Sequence, residues 1–97
     1  MSTNLDVICF AARVRFWNEE RGSGLAVADI PAEHVPGLGG LKQQRVQGTF
    51  DGHGFTSNVM PAGGGRLALS VSRAMMKSAG VGVGDSVVIE LSAVGRD

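Results

Sequence analysis

Arginine and tryptophan side chains recur along the first apolar stretch at a spacing that can form a binding face. Arg13, Arg15 and Trp17 follow one another every second residue, so on a β-strand they lie on the same side. Arg73 and Lys77 are one helical turn apart and share a helix face. Cationic groups beside an aromatic ring suit an acidic small molecule, a peptide or a nucleic acid. The simpler alternative is a solvated strand face, with Trp17 covering one end of the fold.

Residues that could carry out catalysis or hold a metal are scattered. His34 and His53 are the two histidines, and neither has a pair of acids at ligand spacing, whereas a zinc or iron site needs three or four ligands. The candidate nucleophiles are Ser57, Ser70, Ser72 and Cys9. None of them has a recognisable general base and orienting residue, and the sequence contains no Gly-x-Ser-x-Gly motif. We therefore expect no catalytic residue, metal or cofactor, although a triad assembled in space would keep an enzyme as an alternative.

Two further segments could form a ligand site. Backbone amides of the glycine-rich segment 63–66 could surround an anion. That segment lacks the Lys-Ser/Thr ending of a phosphate loop, so a flexible connection is favoured. An apolar pocket with a few polar groups is the second option, if the strands bring these residues together: Phe16, Trp17, Phe55, His53 and Asn58.

Composition limits the class of protein and its partners. The chain of 97 residues is 43% hydrophobic, contains 15 glycines and has no net charge, since nine Lys and Arg balance nine Asp and Glu. Phosphate binding by a nucleic-acid protein is largely electrostatic, so neutrality argues against nucleic acid as the main partner. Cys9 is the single cysteine, so an internal disulfide is excluded, and we expect it as a small core or wall residue in a reducing cytoplasm. No signal peptide and no membrane span are recognisable, which predicts a cytoplasmic protein.

The alternation of apolar residues predicts short strands joined by turns. In the first strand, residues 7–17, one face carries Ile8, Phe10, Ala12, Val14 and Phe16. Residues 72–79 are predicted as a helix, with Ser70 or Ser72 as its N-cap and Gly80 as its left-handed stop. Pro36 reduces residues 31–38 to one irregular turn. Residues 18–24 form a polar loop, and the other strands are predicted at 25–30, 45–50, 55–60, 67–71 and 86–91. Tight turns are expected at 51–54 and 84–85, with a mobile loop at 61–65.

A weak internal sequence repeat (the echo) at an offset of 41 residues indicates a duplicated fold. Ile30 aligns with Val71, and Val46 with Val87, so each half reads strand, short helix, turn, strand. Two interleaved copies can close into one barrel, which removes exposed sheet edges. The chain is therefore predicted as a single, mainly β domain over residues 1–97. It would be a small double-split, pseudo-duplicated barrel of about six to seven strands, spanning about 5–92, with one or two short capping helices and polar tails.

Three runs of sequence, 46–61, 65–71 and 84–91, resemble a small bacterial family called domain of unknown function nineteen-oh-five. The resemblance covers roughly residues 5–92 and implies a double-split β-barrel. The architecture is also similar to the AbrB-like swapped-hairpin fold, whose strand–Pro–helix–Gly-Asp–strand unit is echoed twice. Ser72 stands where that unit usually has proline, and Pro36 interrupts the first helix. Both departures weaken the transfer of DNA binding.

The function expected from the sequence is a non-catalytic binding or interaction module of a bacterial cytoplasm, as a monomer or homodimer. Its partner would be a small molecule or a protein. The alternatives are a small-ligand binder or enzyme that uses the barrel mouth, and an AbrB-like DNA-binding regulator. The residues assigned to a ligand or partner are Arg13, Arg15, Trp17, His53, Asn58, Arg73 and Lys77.

Overall fold

The computed structural model describes residues 7–18, 24–38, 40 and 42–94, and within them six antiparallel strands form a closed barrel. The order around the barrel is β1-β2-β5-β4-β3-β6. The strands are β1 (Ile8–Phe16), β2 (Ala26–Ile30), β3 (Gln44–Phe50), β4 (His53–Gly63), β5 (Arg66–Val71) and β6 (Ser86–Ala93), and the helix is α1 (Arg73–Ala79). The predicted fold class is therefore confirmed. The predicted loop residues 19–23, the N-terminal tail 1–6 and residues 95–97 lie outside the described part.

Strand β1 follows the predicted alternation. Phe10 and Val14 point into the barrel and are buried, while Cys9 and Arg13 point outward and are exposed. Cys9 therefore lies on the outer wall and not in the core. Residues 8–13 of β1 pair with β6, and residues 14–16 pair with β2, so this strand changes partner midway.

The β3–β4 hairpin confirms the Asp-Gly turn and corrects the length of β4. Asp51 and Gly52 both have positive φ, at 53° and 88°, as a two-residue turn that matches strand twist requires. Strand β4 then continues to Gly63, although residues 61–65 were predicted as a loop. Pro61 is tolerated because the β4–β5 register shifts between Pro61 and Gly63, where a bulge removes the need for a ladder donor.

Residues 31–38 form two short 3-10 turns, Ala32–His34 and Pro36–Leu38, where one irregular turn was expected. Pro36 begins the second turn, which agrees with its inability to sit inside a helix. Val35 and Leu38 are buried, and the His34 ring lies 5.9 Å from the Phe10 ring. The segment therefore closes the barrel where β2 ends. Among the described residues, no helix has the length and apolar character needed to cross a lipid bilayer.

The barrel has a pseudo-twofold arrangement that explains the sequence echo. Exchanging β1, β2 and β3 with β4, β5 and β6 leaves every strand pairing in place. The echo matches Ala28 with Leu69, so their ladder partners Val14 and Val59 also correspond. Both valines are fully buried. The 3-10 turns after β2 and helix α1 after β5 therefore occupy equivalent places.

The core fills the barrel with aliphatic and aromatic side chains, and the fully buried residues of the described part are all hydrophobic. Phe50 is the largest of them, and its ring meets Phe55 edge-on at 6.4 Å. The other large buried side chains are Ile30, Leu38, Leu67, Leu69, Ile89 and Leu91. Chemistry on this barrel must therefore come from its ends and outer surface.

Candidate functional site

Helix α1 is fixed at one end of the barrel by its two caps. The Ser72 hydroxyl accepts a hydrogen bond from the Met75 backbone N–H at 3.1 Å, and Gly80 ends the helix with φ of 70°. Met75 is buried in the core and Met76 is half-buried, as expected for two neighbours on a short amphipathic helix. Arg73 and Lys77 consequently lie on the exposed side of α1.

A groove of about 670 Å³ lies between α1, the end of β1 and the start of β2. We call it the α1 groove; its apolar lining includes Phe16, Leu25, Met76, Val81 and Val83, and its cations are Arg73 and Lys77. Leu25 is 46% exposed and Val83 is 40% exposed, so aliphatic surface at the rim faces water. Exposed aliphatic side chains around a concavity mark a surface that gains from being covered.

The turn between α1 and β6 forms one wall of this groove. Gly84 has φ of 101°, and the Asp85 carboxylate accepts a hydrogen bond from the Gly82 N–H at 2.9 Å. The Gly84 N–H donates to the Val14 carbonyl at 2.8 Å, which ties the turn to β1. The assignment of Gly84 and Asp85 to turn geometry agrees with these contacts, and the turn holds Val81 and Val83 against the groove.

Arg15 and Asp29 form a two-pronged ion pair across β1 and β2. The Arg15 Nε and Nη2 atoms donate to the two Asp29 carboxylate oxygens at 2.7 and 2.9 Å, and Nη1 donates to the Phe16 carbonyl at 3.1 Å. This geometry suits the planar guanidinium group. Arg15 therefore helps to hold β1 against β2, and a test of binding is better directed at Arg13.

Acid should weaken the barrel through this ion pair. The hydrogen bond from Arg15 holds the pKa of Asp29 below its ordinary value of 3.8, helped by the charges of Arg15 and Arg66 and opposed by burial. Because the folded-state pKa is the lower one, the stabilisation is complete above about pH 4 and is lost as pH falls through that pKa. We expect the melting temperature of the wild type to fall more steeply than that of Asp29→Asn between about pH 4 and pH 2.

Arg15→Gln should reproduce the flatter acid profile, because it removes the partner that lowers the pKa. Arg13→Gln is the matched control, since Arg13 makes no ion pair within the described residues. Thermal melts followed by circular dichroism across this pH range measure the effect. Identical acid profiles for the wild type and Asp29→Asn would refute the role of the pair.

The structure brings the predicted cations together in neighbouring cavities. Arg13 and Arg15 line a cavity of about 410 Å³ beside Asp29 and Arg66. A smaller cavity of about 230 Å³ shares Arg13 and Arg15 with it and shares Phe16 and Val83 with the α1 groove. Arg13, Arg15, Arg73 and Lys77 therefore line separate cavities that neighbour one another.

The other predicted residues lie apart from this surface or at its margin. Trp17 is 40% exposed, and its backbone N–H donates to the Leu25 carbonyl at 2.6 Å, so it lies next to the groove rim. His53 is exposed at the start of β4, and Asn58 pairs in register with Arg45 further along that strand. Phe55 lines a separate cavity of about 370 Å³ between β3, β4 and β6. Phe16 and Phe55 thus do not share a cavity.

Several residues of the α1 groove were not predicted as site residues. Leu25, Val81 and Val83 belong to loops or strand ends, and nothing local in their sequence shows which other segments they face. Arg66, which lines the cavity beside Asp29, was considered from the sequence only as the end of the glycine-rich segment 63–66. Among the described residues, no group of three or more His, Cys, Asp or Glu side chains could hold a metal ion.

Comparison with known proteins identifies the family. A search of curated proteins found no match. The family model described as "Domain of unknown function (DUF1905)" matches residues 10–91, from near the start of β1 to near the end of β6. Because this match covers most of the sequence, the chain belongs to the DUF1905 family.

Proposed function

We propose that the protein is a non-catalytic binding module that holds a small organic acid with an apolar body in the α1 groove. The observation that carries this proposal is the combination of exposed Leu25 and Val83 with Arg73 and Lys77 around one concavity. Within the described residues, Arg73 and Lys77 make no ion pair. An acidic group would supply the missing counter-charge, and an apolar body would cover the aliphatic rim.

The dimensions of the groove favour a small molecule over a large surface partner. Ligand cavities typically measure about 300–1,000 Å³ and combine apolar walls with a few polar groups. The α1 groove, at about 670 Å³, falls in this range and has such walls. Burying apolar surface contributes about 25 cal/mol per Å², so covering Leu25 and Val83 alone would favour binding.

Ser72 supports a binding role more than a catalytic one. It is the nucleophile-type side chain in the groove lining, and its hydroxyl accepts the helix-capping hydrogen bond from Met75. No histidine or carboxylate belongs to the described lining of this groove. An enzyme that uses the barrel mouth remains the alternative, and turnover of a bound acid would support it.

A fluorescence titration with 1-anilinonaphthalene-8-sulfonate tests the proposal, because this probe joins an aromatic body to an anionic group. We expect saturable binding that decanoate displaces at least about tenfold more effectively than decanol. The double variant Arg73→Gln/Lys77→Gln should weaken probe binding about tenfold, which corresponds to about 1.4 kcal/mol. Both side chains are exposed, so the variant should fold normally.

A pair of valine variants provides the matched control. Val83→Gln changes the groove rim, whereas Val88→Gln makes the same change at an exposed valine of β6 that does not line the groove. We expect a several-fold loss of affinity in the first and none in the second. Equal affinities in all variants would show that the probe binds elsewhere and would refute the groove assignment.

DNA binding, suggested by the AbrB-like resemblance, is the second candidate function. The repeated strand–turn–strand unit supports it, as do the exposed cations Arg13, Arg66, Arg73 and Lys77. The neutral net charge counts against it. Fluorescence anisotropy with duplex DNA at about 50 mM salt separates the two candidates, since phosphate contacts are strong under that condition.

A further inference from the structure

A second concavity, separate from the α1 groove, lies where β1 and β2 diverge. The β1–β2 ladder runs from Phe16 and Ala26 only as far as Val14 and Ala28. Beyond that point β1 pairs only with β6, and β2 pairs only with β5. The edges of β1 and β2 that face each other are therefore unpaired there. The resulting opening of about 410 Å³, which we call the arginine cleft, is lined by residues 11–13, Arg15, residues 29–31 and Arg66.

Among the residues that the structure describes, the lining of the arginine cleft carries more positive than negative charge. Three guanidinium groups and one carboxylate line it, and the carboxylate of Asp29 is engaged by Arg15 through both of its oxygens. Arg66 lines the same cleft as Asp29 and its charge helps to lower the pKa of that carboxyl group, yet within the described residues neither Arg66 nor Arg13 forms an ion pair. Two positive charges are left over, which matches the charge of a phosphate group near neutral pH.

The pseudo-twofold arrangement supplies an internal comparison. The place equivalent to the arginine cleft lies where β4 and β5 diverge, and there the Ser57 hydroxyl donates to the Ser70 carbonyl at 2.6 Å. Asp29 corresponds to Ser70, Arg13 to Asn58 and Arg15 to Met60 by the same register.

The barrel therefore closes without a cluster of charged side chains at the place where β4 and β5 diverge. At that place, the residue related to Arg66 by the pseudo-twofold arrangement is Leu25, an aliphatic residue of the α1 groove. The two halves share a fold but present different chemistry, which indicates that Arg13 and Arg66, which make no ion pair within the described residues, serve a purpose other than closing the barrel.

We propose that the arginine cleft binds a phosphate group, contacted by Arg13 and Arg66, with Arg15 held in orientation by Asp29. Guanidinium groups present fixed, forked donors that match phosphate oxygens in pairs. Because Asp29 is already satisfied by Arg15, it presents little free negative charge to the incoming anion. The source of the phosphate is either the free ion or a phosphate monoester of a larger molecule.

Titrations of the ¹⁵N-labelled protein with inorganic phosphate and with phenyl phosphate, at constant ionic strength, test the proposal. We expect saturable shifts at residues 11–13 and 29–31 and at the side-chain Nε–H of Arg66. Arg13→Gln and Arg66→Gln should each weaken binding about tenfold. Arg66→Lys, which keeps the charge but not the fork, should give a smaller loss. Tighter binding of phenyl phosphate assigns the site to a monoester, and equal binding assigns it to free phosphate.

Arg45→Gln is the matched control, since Arg45 is an exposed arginine on the outer face of β3, outside the cleft. Its phosphate affinity should stay within about twofold of the wild type. Equal losses in all three glutamine variants, or no saturable binding of either probe, would overturn the proposal. Val83→Gln should leave phosphate binding unchanged and Arg66→Gln should leave binding of the fluorescent probe unchanged, so this site and the α1 groove are tested separately.

Discussion

Replacing Gly48 with alanine should destabilise the barrel by about 3 kcal/mol or more, which is at the upper end for a single added methyl group. Gly48 lies in β3 at the seam where β3 pairs with β6. A β-carbon at this position would overlap the carbonyl oxygen of Glu90 and lie 2.7 Å from Leu91 Cα. Both neighbours are backbone atoms of a paired strand, so they cannot move aside without breaking the ladder that closes the barrel.

The melting temperature measures this effect. For a domain of this size, 1 kcal/mol corresponds to about 4–8 °C, so Gly48→Ala should lower the melting temperature by more than about 10 °C. Gly54→Ala is the matched control: Gly54 lies in the neighbouring strand β4, and its added β-carbon would meet its nearest atom, the Gly48 carbonyl oxygen, at 4.0 Å. That variant should change stability by about 1 kcal/mol at most. A Gly48→Ala protein that melts within about 2 °C of the wild type would refute the close approach.

Truncating Phe50 to alanine should cost about 3–5 kcal/mol of unfolding free energy. Phe50 is 1% exposed at the end of β3, and its backbone pairs with both His53 and Ile89. Removing its ring leaves a cavity that surrounding strands, held on both sides, cannot fill. Since small domains are stable by only about 5–15 kcal/mol, this loss is a large fraction of the total.

Phe55→Ala provides the comparison, because Phe55 contacts the same ring but is only half-buried. Its loss should cost about 2 kcal/mol at most, since part of the side chain already faces water. Chemical denaturation of the two single variants and the double variant should give a coupling energy of about 1 kcal/mol for the edge-on pair. Equal costs for the two single variants would contradict the assigned burial.

The structural equivalence of the two halves could be predicted only in outline. The aligned pairs Ile30–Val71 and Val46–Val87 suggested a duplication, and the closed order of strands agrees with it. The equivalence of β1 and β4 was not visible at the same offset, because the segments that connect the strands differ in length between the halves. Strand register shows that Val14 and Val59 correspond, and only then do Phe10 and Phe55 align as well.

The sequence predicted the faces on which some of the cationic residues lie, but it did not assemble the candidate sites. A period of two placed Arg13 and Arg15 on one face, and the helical spacing placed Arg73 and Lys77 on one side of α1. The β1–β2 and β2–β5 registers place Asp29 and Arg66 in the same cleft as Arg13 and Arg15, although these segments are far apart in the chain. The proposed convergence of Phe16 with Phe55 was a guess about register, and the barrel places them in separate cavities.

The sequence by itself determined the strands, the capped helix, the Asp-Gly hairpin and the barrel plan. These features arise from local sterics, hydrogen bonding and the alternation of apolar side chains, all of which act over a few residues. Only the tertiary structure decided that β1 leaves β2 at Val14, which opens the arginine cleft, and that Gly48 must lack a side chain. Those properties depend on how distant strands meet when the barrel closes, and closure is a condition on the whole chain.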